Sequence, residues 1–446
     1  MKKLLVVLLS LGLIVAFGAT ASAADLKVGG SYYVAGVYDN NAALAPSASA
    51  YSRAYFFQRV RLQPEFKIAE GLTFTTRMDA LEKQWGNNNW KGNGAVGDDG
   101  TSSRPSNGIS TNNVQESIEF ERAYVTFLTK IGQFQVGYQS INGWGTAYGD
   151  SETTGARILY ATAAGPVTLL AIYEKMYEAD RSTLNAGKVD MDNDTYSLAG
   201  IYNAKGIEAG LLLKYYAYKA GLAAVGATGR TGNGASKFWL ISPYAKATFG
   251  PVFVEAEVNY FTGKMQESET AGVADLDYKA WTGYLHGKMT FGPAYAGALF
   301  SYASGDNDAT DNEFNTAHAG GGTSWNPALL LMNDDISTWA GSVQGGTVKS
   351  QKTNVLFYKI YGGFNPTAKL NMEMGLIYAT ADKVATNYDK KYGMEADITA
   401  TYKLYDNLSY MVGAAYLWAG DYFKKGVATA TVENDYLLMN KLTLSF

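Results

Sequence analysis

The chain has 446 residues, 47% hydrophobic and only 17% charged, with a formal net charge of −4, 49 Gly, 33 Tyr, 2 His and no Cys. It is too apolar and aromatic to stay unfolded, and long enough to build a large core. The lack of Cys excludes disulfide scaffolds, Cys-ligated zinc, iron–sulfur clusters and thioether-bound haem, and two His leave little room for imidazole metal sites or His-based catalysis.

Lys2 and Lys3 open the chain, an apolar run follows from Leu4 to Phe17, and small residues lead to Ala21-Ser22-Ala23. That is the anatomy of a secretory signal peptide cut after Ala23, so 1–23 is expected to be an address and 24–446 the mature domain. The apolar run is shorter than the roughly 20 residues a spanning helix needs, and no later stretch reaches that length.

Beyond it, apolar and polar residues alternate in segments of strand length. Between Ala54 and Ile68, Phe56, Val60, Leu62, Phe66 and Ile68 share a face, and Arg53, Arg59, Arg61, Gln63, Glu65 and Lys67 share the other. The phase is ambiguous over Glu119 to Leu128. Val252, Val254, Ala256, Val258 and Tyr260 alternate with Glu255, Glu257 and Asn259. The longest case is Tyr392 to Leu404, with Met394, Ala396, Ile398, Ala400 and Tyr402 against Glu395, Asp397, Thr399, Thr401 and Lys403. Last, Tyr436, Leu438, Leu442, Leu444 and Phe446 fall on one face at the carboxyl end.

Short turns are expected at Glu70-Gly71, Lys130-Ile131-Gly132, Gly165-Pro166, Lys205-Gly206, Gly250-Pro251, Gly292-Pro293, Asn365-Pro366 and Asp406-Asn407. Longer polar connections alternate with them: 39–50, 86–113, 140–152, 178–193, 221–235, 263–276, 305–351, 380–388 and 420–433. Such a count joins about 18 strands, with 16 left open because strand edges are uncertain by several residues. An even number places both chain ends on the short-turn side.

A soluble sandwich would carry ordinary surface charge on its outer faces, which this chain lacks. Its strand ends instead gather aromatic rings, as at Tyr32-Tyr33, Tyr215-Tyr216, Phe238-Trp239 and Tyr416 to Trp418. Amphipathic rings favour the membrane–water boundary, and a sheet in hydrocarbon must close to pair its backbone. The fold class expected is therefore all-β: a transmembrane antiparallel β-barrel of about 16–18 strands with short periplasmic turns and long extracellular loops. Barrels of this size hold a water-filled lumen. The apolar last strand ending at Phe446 resembles the signal read by the outer-membrane barrel assembly machinery.

Glu121-Arg122-Ala123-Tyr124-Val125 leads through Lys130-Ile131-Gly132-Gln133-Phe134-Gln135-Val136-Gly137-Tyr138-Gln139 to Arg157-Ile158-Leu159-Tyr160. This stretch resembles the Gram-negative general porin family, in which a constriction loop lies between such strands. Tyr138 stands where the family usually has Arg, and the family's Pro-Glu-Phe-Gly-Gly motif is replaced by Ile141-Asn142-Gly143-Trp144-Gly145-Thr146-Ala147-Tyr148-Gly149-Asp150-Ser151-Glu152. The resemblance implies a non-enzymatic outer-membrane channel for passive diffusion of ions and small hydrophilic solutes, associated as a homotrimer and surrounded by outer-membrane lipid and lipopolysaccharide. It also implies Arg61, Arg122 and Arg157 as lumenal bases and Asp150 as a loop acid. A sugar- or oxyanion-selective channel, or a sheath around a periplasmic or cytochrome partner, are the alternatives.

All nine Arg lie before residue 231, and Arg53, Arg59, Arg61, Arg77, Arg122 and Arg157 fall on or beside predicted strands. Guanidinium groups stay charged and space their donors rigidly, so this set is expected to form a basic wall opposed by Asp150 and Glu152. Pairing with Glu65, Asp79, Glu119 and Glu121 in a polar lumen is the plainer reading of the same Arg. The stretch 305–351 carries Asp306, Asp308, Asp311, Glu313, Asp334 and Asp335 against Lys349, which is expected to give a mild cation preference within a Debye length of about 8 Å. Its length suggests that it folds over or into the pore. Asp306, Asp308, Asp311 and Glu313 form a weak calcium candidate without the Gly of an EF-hand. Gly143, Gly145 and Gly149 read as loop flexibility. His286, near Lys288, has no nucleophile beside it, and no cofactor loop or nucleic-acid face is found.

Overall fold

The computed structural model describes residues 25–46, 52–86, 118–150, 153–178, 192–219, 234–268, 271–308, 310–317, 325–333, 336 and 352–446. The expected signal peptide and its cleavage after Ala23 lie outside them. The strands are β1 (Asp25–Asp39), β2 (Arg53–Ala69), β3 (Leu72–Gln84), β4 (Ile118–Thr129), β5 (Gly132–Ile141), β6 (Thr153–Ala164), β7 (Val167–Tyr177), β8 (Asn193–Ala204), β9 (Ile207–Tyr218) and β10 (Gly234–Phe249). The second half adds β11 (Val252–Ser268), β12 (Leu276–Phe291), β13 (Ala294–Ala303), β14 (Glu313–Phe314), β15 (Val355–Thr367), β16 (Leu370–Thr380), β17 (Lys391–Tyr405), β18 (Leu408–Ala419) and β19 (Asp435–Ser445). Each long strand pairs antiparallel with the next, β13 pairs directly with β15, and β19 pairs with β1 to close the sheet. The two-residue β14 is an extra, parallel to β12, so the wall has eighteen strands.

Eight two-residue turns lie on one rim and the long connections on the other. Asp25 opposite Lys67 and Phe446 beside Gly30 put both ends of the described wall on the short-turn rim. Gly71 and Gly206 take φ of +71° and +75°, the left-handed conformation that a tight turn needs and a side chain resists. One expected turn moves: Pro366 belongs to the end of β15, and the reversal falls at 368–369. A register shift between Phe364 and Thr367 takes Pro366 out of the ladder, where its missing N–H costs nothing.

The charge distribution is inverted relative to a soluble protein. On β11, Val258 is 43% exposed and Glu257 is 1% exposed; on β17, Met394 and Ile398 face outward while Glu395 and Asp397 are buried inside. Apolar side chains on the outer wall suit hydrocarbon, and the closed ladder leaves no backbone edge to it. Tyr436, Leu438, Leu442, Leu444 and Phe446 share that outer face, Leu438 and Phe446 being among its exposed residues. Bulges account for the irregular segments. Arg77 faces Arg122 and Met78 faces Phe120, so Glu121 is an extra residue and both Glu121 and Arg122 point inward. A second shift, between Ala379 and Thr380, turns Tyr392 inward from its expected row to lie against Tyr422 and Phe423.

Candidate functional site: the lumen

The six Arg expected to form a wall are all lumenal, on β2, β3, β4 and β6. Arg61 grips Asp79 with a two-pronged contact, Nε to Oδ1 and Nη2 to Oδ2, both 2.7 Å. Arg59 Nη1 lies 3.3 Å from Glu82 and 3.9 Å from Asp79, Arg77 binds Glu121, and Arg61 also reaches Glu121 at 3.7 Å. Arg53 meets Asp39 at 3.0 Å. Arg157 donates to the Ser140 carbonyl at 2.6 Å and stands 3.9 Å from Glu174, which also holds Lys214 at 2.6 Å. Side chains of Arg53, Arg59, Arg61 and Arg157 keep 12–18% exposure, so the guanidinium groups still border the lumen.

The counter-charges therefore come mostly from the wall's own strands, as the pairing reading required for Asp79 and Glu121. Asp150 sits beside Gly143 at the end of its own turn, its N–H donating to Thr146 at 3.0 Å. Glu152 lies outside the described residues. Carboxylates of Asp79, Glu82 and Glu121 come close enough together to hold a metal ion, but the Arg59, Arg61 and Arg77 guanidiniums already supply the positive charge there. Tyr138 is 61% exposed on the outer wall. The position at which the resembled family usually has Arg therefore faces away from the lumen here, because Gly137 and Gln139 hold the inward phase.

Two segments of the long-loop rim turn inside. The first, 142–150, leans on β10 to β13: Trp144 Nε1 donates to Ser242 O at 3.0 Å, Thr146 donates from N and Oγ1 to Glu257 at 2.8 and 2.9 Å, and Tyr148 stacks on Tyr284 at 5.0 Å. Gly145 and Gly149 are needed here for close approach, since a Cβ on either would collide with the Glu257 carboxylate. The second, 325–333, belongs to the stretch expected to enter the pore. Glu395 accepts the amides of Leu329, Leu330 and Leu331 at 3.1, 2.7 and 2.7 Å, and Asp397 shares Leu329. Lys352 and Lys359 hold the carbonyls of Trp325 and Pro327 at 2.6 and 3.0 Å. Leu330, Leu331 and Met332 then bury against Phe57, Phe357, Leu417 and Leu437. The two segments meet where Tyr148 abuts Trp325, 5.0 Å apart.

The calcium candidate does not converge. Asp308 accepts from the amide and hydroxyl of Thr310, which holds its carboxyl below the usual range; Asp306 accepts from Asp308 and Asn315, Asp311 from Glu313, and Glu313 binds Lys279. Asp334 and Asp335 lie outside the described residues. His286 faces the lumen, 3.1 Å from Glu255 and 2.7 Å from the Tyr361 hydroxyl. Glu257, Glu395, Asp397, Lys352 and Lys359 were not singled out from the sequence, where they read only as members of polar faces or loops. For Glu257, Glu395, Asp397 and Lys359 the visible signal is full charge on a lumenal row within a strand; Lys352 precedes β15 and carries no such signal.

No family model and no curated protein matches the chain. Solved structures do. Pseudomonas aeruginosa OccK9 (OpdG) superposes at TM-score 0.52 with 14% identity over 94% of this chain and 99% of that one. P. aeruginosa OpdK with vanillate gives 0.51 and 12% over 94% and 99%, and OccK2 (OpdF) in complex with glucuronate gives 0.50 and 11% over 95% and 97%. The chain thus has the fold of Gram-negative outer-membrane channels.

Proposed function

We propose that the chain is an outer-membrane channel passing small hydrophilic solutes by diffusion, with solutes bearing a carboxylate favoured along the Arg wall. The observation that carries this is the row of six inward Arg on β2, β3, β4 and β6. Fixed guanidinium groups match carboxylates in shape as well as charge. Vanillate and glucuronate, found with two of the similar structures, are both carboxylates, which supports the same class here. The resemblance to general porins over 121–160 supports a channel but not its selectivity. A sheath for a protein partner is less well supported, because the chain's own segments occupy the lumen.

Single-channel recording in a planar bilayer tests this. The expected result is an ohmic conductance, blocked by a small carboxylate such as benzoate, with the block weakened about tenfold in Arg59→Gln, the equivalent of about 1.4 kcal/mol. In a salt gradient the Arg wall predicts a reversal potential favouring anions. A cation-favouring potential would instead agree with an acidic mouth at 305–351 and would overturn the carboxylate route.

A further inference from the structure

Between the in-folded segments and the short-turn rim, two tyrosines lie flat on the lumenal wall. A Cβ on Gly297 of β13 would collide with the Tyr361 ring, and one on Gly363 of β15 would collide with the Tyr295 ring. Each ring therefore rests on a glycine of the neighbouring strand, a close approach that a side chain would block. Tyr361 belongs to a wider surface. Its hydroxyl meets His286 Nε2 at 2.7 Å, and the two rings are tilted only 28° from each other with centroids 6.0 Å apart. At that spacing they join edge to edge as one floor. Tyr295 stands at its side, 6.2 Å away and inclined by 64°.

The floor is held in place and ringed by mixed polarity. Glu255 meets His286 Nδ1 at 3.1 Å, and Glu373 accepts the Tyr295 hydroxyl at 3.0 Å. Lys288 Nζ lies 4.0 Å from the centre of the Tyr295 ring, and Lys359 Nζ lies 5.4 Å from that of Tyr361. Tyr361 is half-buried, and the side chains of His286 and Glu373 keep 16% and 30% exposure, so floor and rim both border the lumen. Lys288 and Lys359 are balanced by Glu255 and Glu373, which leaves little net charge to draw an ion. Ammonium donors beside carboxylate acceptors suit instead a solute rich in hydroxyls, which donate and accept at once.

We propose that this floor, on β12, β13, β15 and β16, is a stacking subsite for a pyranose sugar, separate from the Arg wall. A β-glucopyranose carries C–H groups on the faces of its ring and hydroxyls around its edge. The faces match the negative π-surface of Tyr361, and the edge matches the rim of Lys288, Lys359 and Glu373. The subsite lies on the short-turn side of segments 142–150 and 325–333. Tyr284 stacks on the first and Lys359 holds the second, and each precedes its floor residue by two positions on a strand running toward the short turns.

Single-channel recording with methyl β-D-glucopyranoside tests the subsite. A saturable block of the current is expected, weakened about tenfold in Tyr361→Ala and in Gly297→Ala, whose Cβ would push the ring off the wall. Tyr361→Phe keeps the ring and is expected to keep the block. Sorbitol, an open-chain polyol without ring faces, is expected to give no saturable block. Sorbitol acting as the glycoside does, or a block that survives intact in Tyr361→Ala, would overturn the subsite, and the first comparison needs only the native channel. The inference rests on the open-channel reading above. A membrane-inserted protein that passes no current defeats both, whereas an ohmic channel blocked by benzoate but not by the glycoside defeats only the subsite.

Discussion

Glu257 shows what one lumenal carboxylate does in this protein. It takes two hydrogen bonds from Thr146 and one from Asn259, and through them ties 142–150 to β11. Hydrogen bonds to a charged group contribute roughly 1.5–3 kcal/mol each when their partner would otherwise stay buried and unmet. Glu257→Ala is therefore expected to loosen the segment and raise open-channel current noise. Gly149→Ala is expected to do the same, because its Cβ would displace the carboxylate. Gly143→Ala, whose Cβ would meet only Asp150 Oδ1 at 3.2 Å among near contacts, is expected to record like the native channel. The Arg wall makes a second prediction at this scale. Asp79 faces Arg59 and Arg61 together, so Asp79→Asn removes negative charge from between two guanidiniums. The reversal potential is expected to move toward anions, and movement toward cations would contradict the wall's role.

Among the elements, segment 325–333 is held by charge at both polarities: carboxylates of β17 on its amides, lysines on its carbonyls. Its Leu and Met side chains add burial, about 1.5–3 kcal/mol for each large apolar side chain fully removed from water. Glu395→Ala is expected to free the strand-side anchor, raising single-channel conductance and exposing the segment to added protease, both relative to the native protein. Unchanged conductance and unchanged digestion would show that the apolar contacts alone hold it. Strands with regular alternation, such as β11 and most of β17, were legible from sequence. β4 was not, because Glu121 is inserted at a bulge and sends two neighbouring charged residues to the same side.

The whole molecule depends on the seam between β1 and β19. Gly30 and Phe446 exchange backbone hydrogen bonds of 2.8 and 3.0 Å at its short-turn end, and the Phe446 ring remains exposed to the outside. Deleting Phe446 removes both bonds and the last outward ring. The expected outcome is a several-fold fall in chain recovered from the outer-membrane fraction by immunoblot; a native level would mean that the remaining register, Ser31 to Asp39 against β19, suffices for closure.

The alternation of side chains, the scarcity of charge and the two lengths of connection were enough to establish a closed barrel, its even parity and the shared polar face of Arg53, Arg59 and Arg61. These are local properties: period two on a strand and glycine or proline at a turn follow from neighbours in the chain. What faces each Arg, which carboxylates seize the in-folded segments, and why Tyr138 lies outside were decided only by the tertiary structure. Thr146 and Glu257, or Leu330 and Glu395, are far apart in the chain and meet across the lumen. Strand register and bulge position bring them together, and both depend on pairing between strands rather than on any one strand's residues.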